Sequence, residues 1–275
     1  MINERAVIKQ SLRRILPNIQ KPGRYFGGEL NQVVKDWDQI KTKVALVFPD
    51  IYDIGVPNLG VMILYELINS RPDACCERAY LPWLDMEAAM RENGIPLFSL
   101  ETKTPLKNFD IVGFTLPYET LFTNVLNALD LAKIPIRSVN RGEDDPIILA
   151  GGHAAYNPEP MAPFIDVFAI GEGEEIIQDV INVFEQGKRK GFTRKEILQS
   201  LQNIEGIYVP ALYTARYNPD ATISMVEPMS RDIPSTIKKR ICARLPYPPT
   251  RFIVPSIDVV HNRIAMEIMR GCTRG

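Results

Sequence analysis

Four short segments of the chain carry residue types suited to binding a ligand through both the backbone and polar side chains. Three of them combine glycine with a carboxylate, a hydroxyl or an imidazole, and the fourth, residues 115–119, carries hydroxyls and a carboxylate. Because glycine has no Cβ, it lets a flat or bulky ligand approach the main chain closely. Any one segment could be ordinary turn chemistry, but four in order along the chain favour a binding site. The candidate binding residues are Asp50, Tyr52, Asp53, Gly55, Thr115, Gly151, Gly152, His153, Gly171, Glu172 and Gly173.

Each of these segments directly follows a short apolar run that is typical of a strand buried on both faces. Between the runs, apolar residues recur at helical spacing, as in Leu59–Ile68. Alternating strands and helices predict an α/β fold with a doubly wound, flavodoxin-like or Rossmann-like parallel sheet of five strands. In such sheets ligands bind beyond the carboxyl ends of the strands, where the four segments lie. The strands are expected at residues 44–48, 77–81, 111–115, 146–150 and 167–170.

The alternation of apolar runs and helical segments ends outside this α/β region. Thr193 followed by Glu196 predicts a capping box that begins a short helix, and the alternating residues 206–226 suggest a hairpin. Residues 227–257 are rich in proline, which indicates an extended linker, and Arg263–Arg270 is typical of a strand. The predicted divisions are an N-terminal extension (1–43), the α/β domain (44–190), a small β and linker region (191–257) and the start of a further domain (258–275).

Bulk properties exclude several classes of protein. The 275 residues are 45% hydrophobic and 24% charged with a net charge of −1, and no block of like charge indicates a nucleic-acid surface. No run approaches the ~20 apolar residues of a membrane span, and no secretory signal is recognisable. Four cysteines without a disulfide-like spacing agree with a cytoplasmic protein.

The segment Gly151-Gly152-His153-Ala154, followed by Gly171-Glu172-Gly173-Glu174, resembles the signature of cobalamin-binding domains fused to radical S-adenosylmethionine (SAM) enzymes. In cobalamin-binding folds the first loop reads Asp-x-His-x-x-Gly, and the His binds cobalt. Here Tyr52 replaces that His, so the resemblance implies base-off cobalamin without a protein His ligand. The second motif, Ser-x-Leu, corresponds to Thr115-x-Pro117, whose hydroxyl can still donate a hydrogen bond.

The end of the sequence resembles the beginning of a radical SAM cluster motif, Cys-x-x-x-Cys-x-x-Cys, in Arg270-Gly271-Cys272-Thr273-Arg274-Gly275. The resemblance implies that Cys272 is one of three thiolate ligands of a [4Fe–4S] cluster whose fourth iron binds SAM. The chain contains one of the three, so we expect the 275 residues alone to be catalytically inactive. The full-length protein would be an enzyme that cleaves SAM, with cobalamin-dependent methyl transfer or related radical chemistry on an unidentified substrate.

A second hypothesis comes from a different class of function. Tyr52 and Pro117 depart from the cobalamin motifs, so the domain could be a relic that binds no cofactor and acts as a docking module. A flavodoxin is disfavoured because Asp50 and Asp53 occupy the loop that would cradle a phosphate. A receiver domain would need a late lysine, where this sequence has Gly-Glu-Gly-Glu. On either main hypothesis the expected partners are small-molecule cofactors or the rest of the protein, with no membrane.

Overall fold

The computed structural model of the chain describes residues 2–245 and 247–270, and its centre is a six-stranded sheet. The strands are β1 Thr42–Phe48, β2 Ala74–Tyr80, β3 Ile111–Thr115, β4 Ile147–Gly151, β5 Val167–Ala169 and β6 Ile207–Tyr208. The helices are α1 Ile2–Ile15, α2 Tyr52–Gly55, α3 Leu59–Asn69, α4 Leu84–Glu92, α5 Phe122–Leu131, α6 Gly173–Lys190 and α7 Arg194–Leu201.

The strand order is β2-β1-β3-β4-β5-β6, and β1 to β5 are parallel. The first five strands follow the flavodoxin-like order, in which the chain reverses its winding between β1 and β3. The register pairs Leu46 with Gly113 and Gly113 with Leu149. The carboxyl ends of β1, β3 and β4 therefore meet at one edge of the sheet.

Alternating side chains of the strands build a core on each face of the sheet. Val44 and Leu46 of β1 pack with α3, α6 and α7, whereas Ala45 and Val47 pack on the opposite face with α1, α4 and α5. Both faces of the central strands are thus covered by helices, which explains why their sequences are continuously apolar. The doubly wound α/β architecture expected from the sequence is present.

The sheet has one strand more than the five predicted. Strand β6 pairs antiparallel with β5 through Phe168–Tyr208 and Ala169–Ile207. The sequence pattern assigned these residues to a separate hairpin, because a two-residue strand is too short to show an alternating period. The position of β6 depends on tertiary pairing with the edge of the sheet. The hairpin expected in this region is formed by two later strands, β7 (Tyr213–Tyr217) and β8 (Ile223–Pro228).

Arg263–Arg270, predicted as a strand, has no strand structure in the described part of the chain. Its apolar side chains are exposed, and Ile268 retains 92% of its accessible surface. A strand needs a neighbour to accept and donate its backbone hydrogen bonds. Residues 2–245 and 247–270 provide no such neighbour for this segment, so the apolar pattern alone does not produce a strand.

Candidate functional site

A cavity of about 430 Å³ opens at the carboxyl edge of the sheet, between α3 and α6. Its walls are predominantly apolar, and cavities of this size are typical of small-molecule sites. Strand residues form the floor, and the helices form the sides. The walls are Leu46, Gly113, Leu149 and Ala169 from the strands, Gly60, Ile63 and Leu64 from α3, and Gly173, Ile176 and Ile177 from α6.

Glycine at position 113 contributes to the open floor of the cavity. A Cβ built on Gly113, in the middle of β3, would lie 3.3 Å from Leu46 Cδ2. A glycine inside a strand weakens pairing and often marks a place where another group approaches the backbone. The sequence pattern contained this signal, Ile-Val-Gly-Phe-Thr, but the prediction considered only the loops and missed Gly113.

Two glycines at the mouth adopt backbone conformations that other residues rarely accept. Gly152 has φ = 111°, and a Cβ there would lie 2.6 Å from the Leu116 carbonyl oxygen. Gly171 has φ = 116°, and a Cβ there would collide with the backbone of Arg240. These glycines let β4 and β5 turn at the cavity edge without filling it.

Six of the eleven predicted binding residues line this cavity. They are Thr115, Gly151, Gly152, Gly171, Glu172 and Gly173. His153 is exposed just beyond the mouth, with its ring centroid 6.1 Å from that of Tyr156. Asp50 lies two residues beyond the end of β1, and its carboxylate accepts a hydrogen bond from the Ile51 N–H at 2.7 Å. Neither His153 nor Asp50 is among the cavity walls.

The other predicted residues of the first loop face the N-terminal segment. The buried Tyr52 hydroxyl donates a hydrogen bond to Glu29 at 3.1 Å. Asp53 pairs with Arg24 at 2.6 Å and with Lys21 at 2.9 Å. Burial alone would raise the pKa of Asp53, but the hydrogen bonds from Arg24 and Lys21 hold it below its ordinary value. The structure therefore separates Tyr52 and Asp53 from the cavity walls.

Gly55 also has a packing role in this part of the fold. A Cβ built on Gly55 would lie 2.6 Å from the ring of Tyr80. That ring packs edge-on against Tyr52, with the two centroids 5.4 Å apart. The glycine thus allows the first loop to pack tightly over the end of β2, away from the cavity.

A buried network of charges anchors the N-terminal segment to the sheet. Arg78 of β2 pairs with Glu101 at 2.7 Å and with Glu29 at 3.0 Å, and all three side chains are at most 2% exposed. Burial would lower the pKa of Arg78, but the two carboxylates and neighbouring tyrosines raise it well above its ordinary value. The sequence signal for this network was Glu77-Arg78 inside an otherwise apolar strand.

Residues 267–270, beyond the linker, return to the mouth of the cavity. Glu267 and Arg270 form part of its lining, and Arg270 pairs with Glu174, with Glu267 at 2.5 Å and with Glu172 at 3.7 Å. Glu172 also accepts a hydrogen bond from the Cys242 N–H. The carboxylates at the start of α6 therefore hold both the linker, at Cys242, and the later segment, at Arg270, beside the opening.

Cys272, the predicted cluster ligand, lies outside the described residues. Within residues 2–245 and 247–270, no group of three or more His, Cys, Asp or Glu side chains is placed to hold a metal ion. Cys75, Cys76 and Cys242 are buried and free, and burial raises the pKa of Cys75 to about 12. Across these same residues, none of the helices combines the length and hydrophobicity needed to span a membrane.

Comparison with known proteins gives both a relative and similar solved structures. The "Uncharacterized protein MJ0966" of Methanocaldococcus jannaschii is 26% identical over 142 residues, which are 50% of this chain and 26% of that protein. The match thus spans about a quarter of the relative's length.

The cobalamin-dependent SAM radical enzyme OxsB has been solved with aqua-cobalamin bound, both with and without SAM. The TM-scores are 0.37 and 0.36, at 14% and 13% identity, and the alignments cover 66% and 68% of this chain and 22% of the other. The family "Radical SAM proteins, N-terminal" matches residues 60–210, which include β2 to β5 and the glycine-lined mouth. This chain therefore belongs to the family of radical SAM protein N-terminal regions.

Proposed function

We propose that this chain is the cofactor-binding front part of a radical SAM enzyme and that its α/β domain, residues 44–190, binds cobalamin. The observation that carries the proposal is the apolar cavity at the carboxyl edge of the sheet, with Gly113 in its floor and Gly152 and Gly171 at its mouth. The nucleotide tail of cobalamin would enter this cavity.

The cavity fits such a tail in size and in chemistry. About 430 Å³ is enough for a flat heterocycle, and its apolar walls favour the burial of an aromatic ring. Thr115, at the end of β3, supplies a hydroxyl that can donate to the polar part of the tail. Gly151 and Gly152 allow the ligand to approach the backbone. When bound, cobalamin would supply a carrier for a methyl group.

The first loop supports binding without a protein ligand on cobalt. Tyr52 donates its hydrogen bond to Glu29, and burial and that carboxylate raise the pKa of the phenol far above its ordinary value. A neutral phenol is a weaker metal ligand than an imidazole. We therefore expect the bound form to be base-off, with Asp50, Tyr52, Asp53 and Gly55 shaping the loop and His153 lying beside the mouth.

The rest of the proposed activity belongs to the whole protein. Cys272 would be one ligand of a [4Fe–4S] cluster at which SAM is cleaved, as the resemblance of its flanking sequence implies. Residues 1–43 would be an N-terminal extension, 191–257 a small β and linker region, and 258–275 the start of the radical SAM domain. The substrate would be selected mainly outside the α/β domain.

Titration with hydroxocobalamin, followed by the visible absorption spectrum, tests the proposal. We expect saturable binding with a base-off spectrum, and weaker binding for Gly113→Val and for Leu64→Trp, which both fill the cavity. Gly142→Val is the matched control, because a Cβ at Gly142 meets no heavy atom within 4 Å. Circular dichroism would establish that each variant is folded.

The opposite outcome would favour the docking hypothesis. If the folded protein shows no saturable binding at high micromolar cobalamin, or if the cavity variants bind as the Gly142 control does, the cavity is not a cobalamin site. The same titration should then be made with the full-length protein. Failure there as well would support a relic domain whose role is interaction.

A further inference from the structure

A second cavity lies away from the proposed cofactor site, between α1 and residues 16–26, which follow that helix. Its volume is about 470 Å³, and its walls are mostly apolar. Leu12, Leu16, Pro22 and Tyr25 contribute to these walls, and Lys103 is the buried cationic residue among them. Lysine is seldom fully buried without a charged partner, so its presence here calls for a reason.

The backbone holds Lys103 in an uncommon conformation. Its φ is 65°, in the left-handed region, and its N–H donates to the Ser99 carbonyl at 3.1 Å. The Ser99 N–H in turn donates to the Thr104 carbonyl at 2.9 Å, which closes the turn. Residues held in this region without being glycine occur often at functional sites, where surrounding contacts enforce the conformation.

The amine has two hydrogen-bond acceptors rather than a counter-ion. Lys103 is 6% exposed, and its Nζ donates to the Phe26 carbonyl at 2.8 Å and to the Leu100 carbonyl at 2.6 Å. Among the described residues, no carboxylate oxygen lies within salt-bridge distance of this Nζ. A neutral amine has two N–H groups, and both would be satisfied here, leaving its lone pair free. The ammonium form would carry a third N–H without a carbonyl acceptor, and its further contact is the Phe98 ring, whose centroid lies 5.9 Å from Nζ.

The surroundings shift the amine toward its neutral form. Burial lowers the pKa of Lys103 to about 8, although Glu101, Glu29 and Glu77 act in the opposite direction, and Lys9 lowers it further. At pH 8 about half of such an amine is unprotonated. An ordinary lysine with a pKa near ~10.4 would be under ~1% unprotonated at that pH. Desolvated lysines of this kind are the ones that act as nucleophiles in proteins.

We propose that Lys103 is a nucleophilic amine that binds a carbonyl compound covalently as an imine in this cavity. The amine lone pair attacks the carbonyl carbon, and the carbonyl oxygen receives the π electrons. Proton transfer from nitrogen to that oxygen gives a carbinolamine, and loss of one water forms the C=N bond. No oxidant or reductant is required. The protonated imine retains one N–H, which can stay bonded to the Leu100 carbonyl.

The walls of the cavity define the chemical class of the carbonyl compound. The apolar side chains of Leu12, Leu16 and Tyr25 suit a hydrophobic or aromatic body. Lys9 and Arg13 also line the cavity and are exposed, so they place two positive charges at its opening. The ligand is therefore an aldehyde or ketone that joins an apolar body to an anionic group, such as a carboxylate or a phosphate.

Reductive trapping tests this proposal with pyridoxal 5′-phosphate as the probe. The protein is incubated with the aldehyde at pH 8, reduced with borohydride and mapped by peptide mass spectrometry. Lys133 is the matched control, since it has the same left-handed backbone (φ = 58°) but is exposed. Because the pKa of Lys103 is lowered to about 8, we expect this amine to be modified at least about tenfold faster than Lys133. Lys103→Met should remove that adduct.

Competitive labelling with acetic anhydride separates the possible failures. If both reagents modify Lys103 of the folded protein no faster than they modify Lys133, the proposal is overturned, because the Lys103 amine is then not a reactive nucleophile. Fast acetylation of Lys103 without a borohydride-trapped adduct also overturns it, since the site then takes no carbonyl compound. Either result is independent of cobalamin binding at the other cavity.

Discussion

The buried amine of Lys103 should make the stability of the fold depend on pH in a specific direction. Its pKa falls from an ordinary 10.5 to about 8 because burial disfavours the charged form. Between these two values the unfolded chain binds a proton that the folded chain does not. The free energy of unfolding therefore rises as pH increases from about 8 to 10.5, and this contribution is lost as pH falls through the folded pKa.

The magnitude follows from the size of this difference. A difference of about 2.5 in pKa corresponds to about 3 kcal/mol, with a maximal slope of about 1.4 kcal/mol for each pH unit. The substitution Lys103→Met keeps an unbranched side chain that is one heavy atom shorter and removes the titration. Wild type should therefore gain about 3 kcal/mol over this variant between pH 7.5 and pH 10.5. Loss of the hydrogen bonds to Phe26 and Leu100 adds an offset of about 1 kcal/mol for each bond, and this offset does not vary with pH.

Urea unfolding at several pH values measures this effect. Buried groups such as Tyr65 and Cys75, whose pKa values are raised by burial, lower stability at alkaline pH, but they do so in both proteins and cancel in the difference. Lys133→Met is the control, and its difference from wild type should stay constant. A constant difference for Lys103→Met as well, within about 0.5 kcal/mol, would refute the reasoning that burial suppresses the charge of this amine.

Three further predictions follow from named contacts. Arg78→Met should lower the free energy of unfolding by about 3–5 kcal/mol, because it leaves two buried carboxylates unpaired; Arg91→Met, at an exposed pair, should cost under about 1 kcal/mol in the same urea assay. Thr193→Ala should lower the free energy of unfolding in urea by about 1 kcal/mol, since it removes the hydrogen bond that the Thr193 hydroxyl accepts from the Glu196 N–H in the capping box. If the protein binds cobalamin, Arg270→Ala should raise the association rate several-fold in stopped-flow absorbance, because the guanidinium lies at the mouth of the cavity; an unchanged rate would show that this contact does not limit entry.

Much of the fold could be predicted because local patterns and tertiary packing agree. Val44–Phe48 is apolar at every position, and the structure buries it between helices on both faces. The predicted capping box at Thr193 is also confirmed, and it was predictable because both of its hydrogen bonds lie within four residues. Features of this kind depend on contacts close in sequence or on burial that is uniform along a strand.

The contacts of the first loop could not be predicted in this way. The loop follows β1 and contains two carboxylates, so its position in sequence favoured a binding role. Its partners, Arg24 and Glu29, lie more than twenty residues earlier in the N-terminal segment. No local period relates these residues, and only the folded chain brings them together. For Gly113 the position in the middle of a strand was predictable from the sequence. Its role in the floor of the cavity was not, because the cavity forms only when α3 and α6 pack beside the sheet.

The placement of Tyr52 leads to a last prediction about the cofactor. Because its side chain points to Glu29 and packs on Tyr80, an imidazole at position 52 would meet the same carboxylate rather than the cavity. If the protein binds cobalamin, the Tyr52→His variant should therefore keep the base-off visible spectrum of wild type, even though His is a far better cobalt ligand than Tyr. Wild type and variant would be compared at saturating hydroxocobalamin. A change to a His-coordinated spectrum in the variant would show that the first loop reaches the metal. The loop of the wild-type protein would then lack a metal ligand only because residue 52 is Tyr, and not because the ion pairs of Asp53 with Arg24 and Lys21 hold the loop away from the metal.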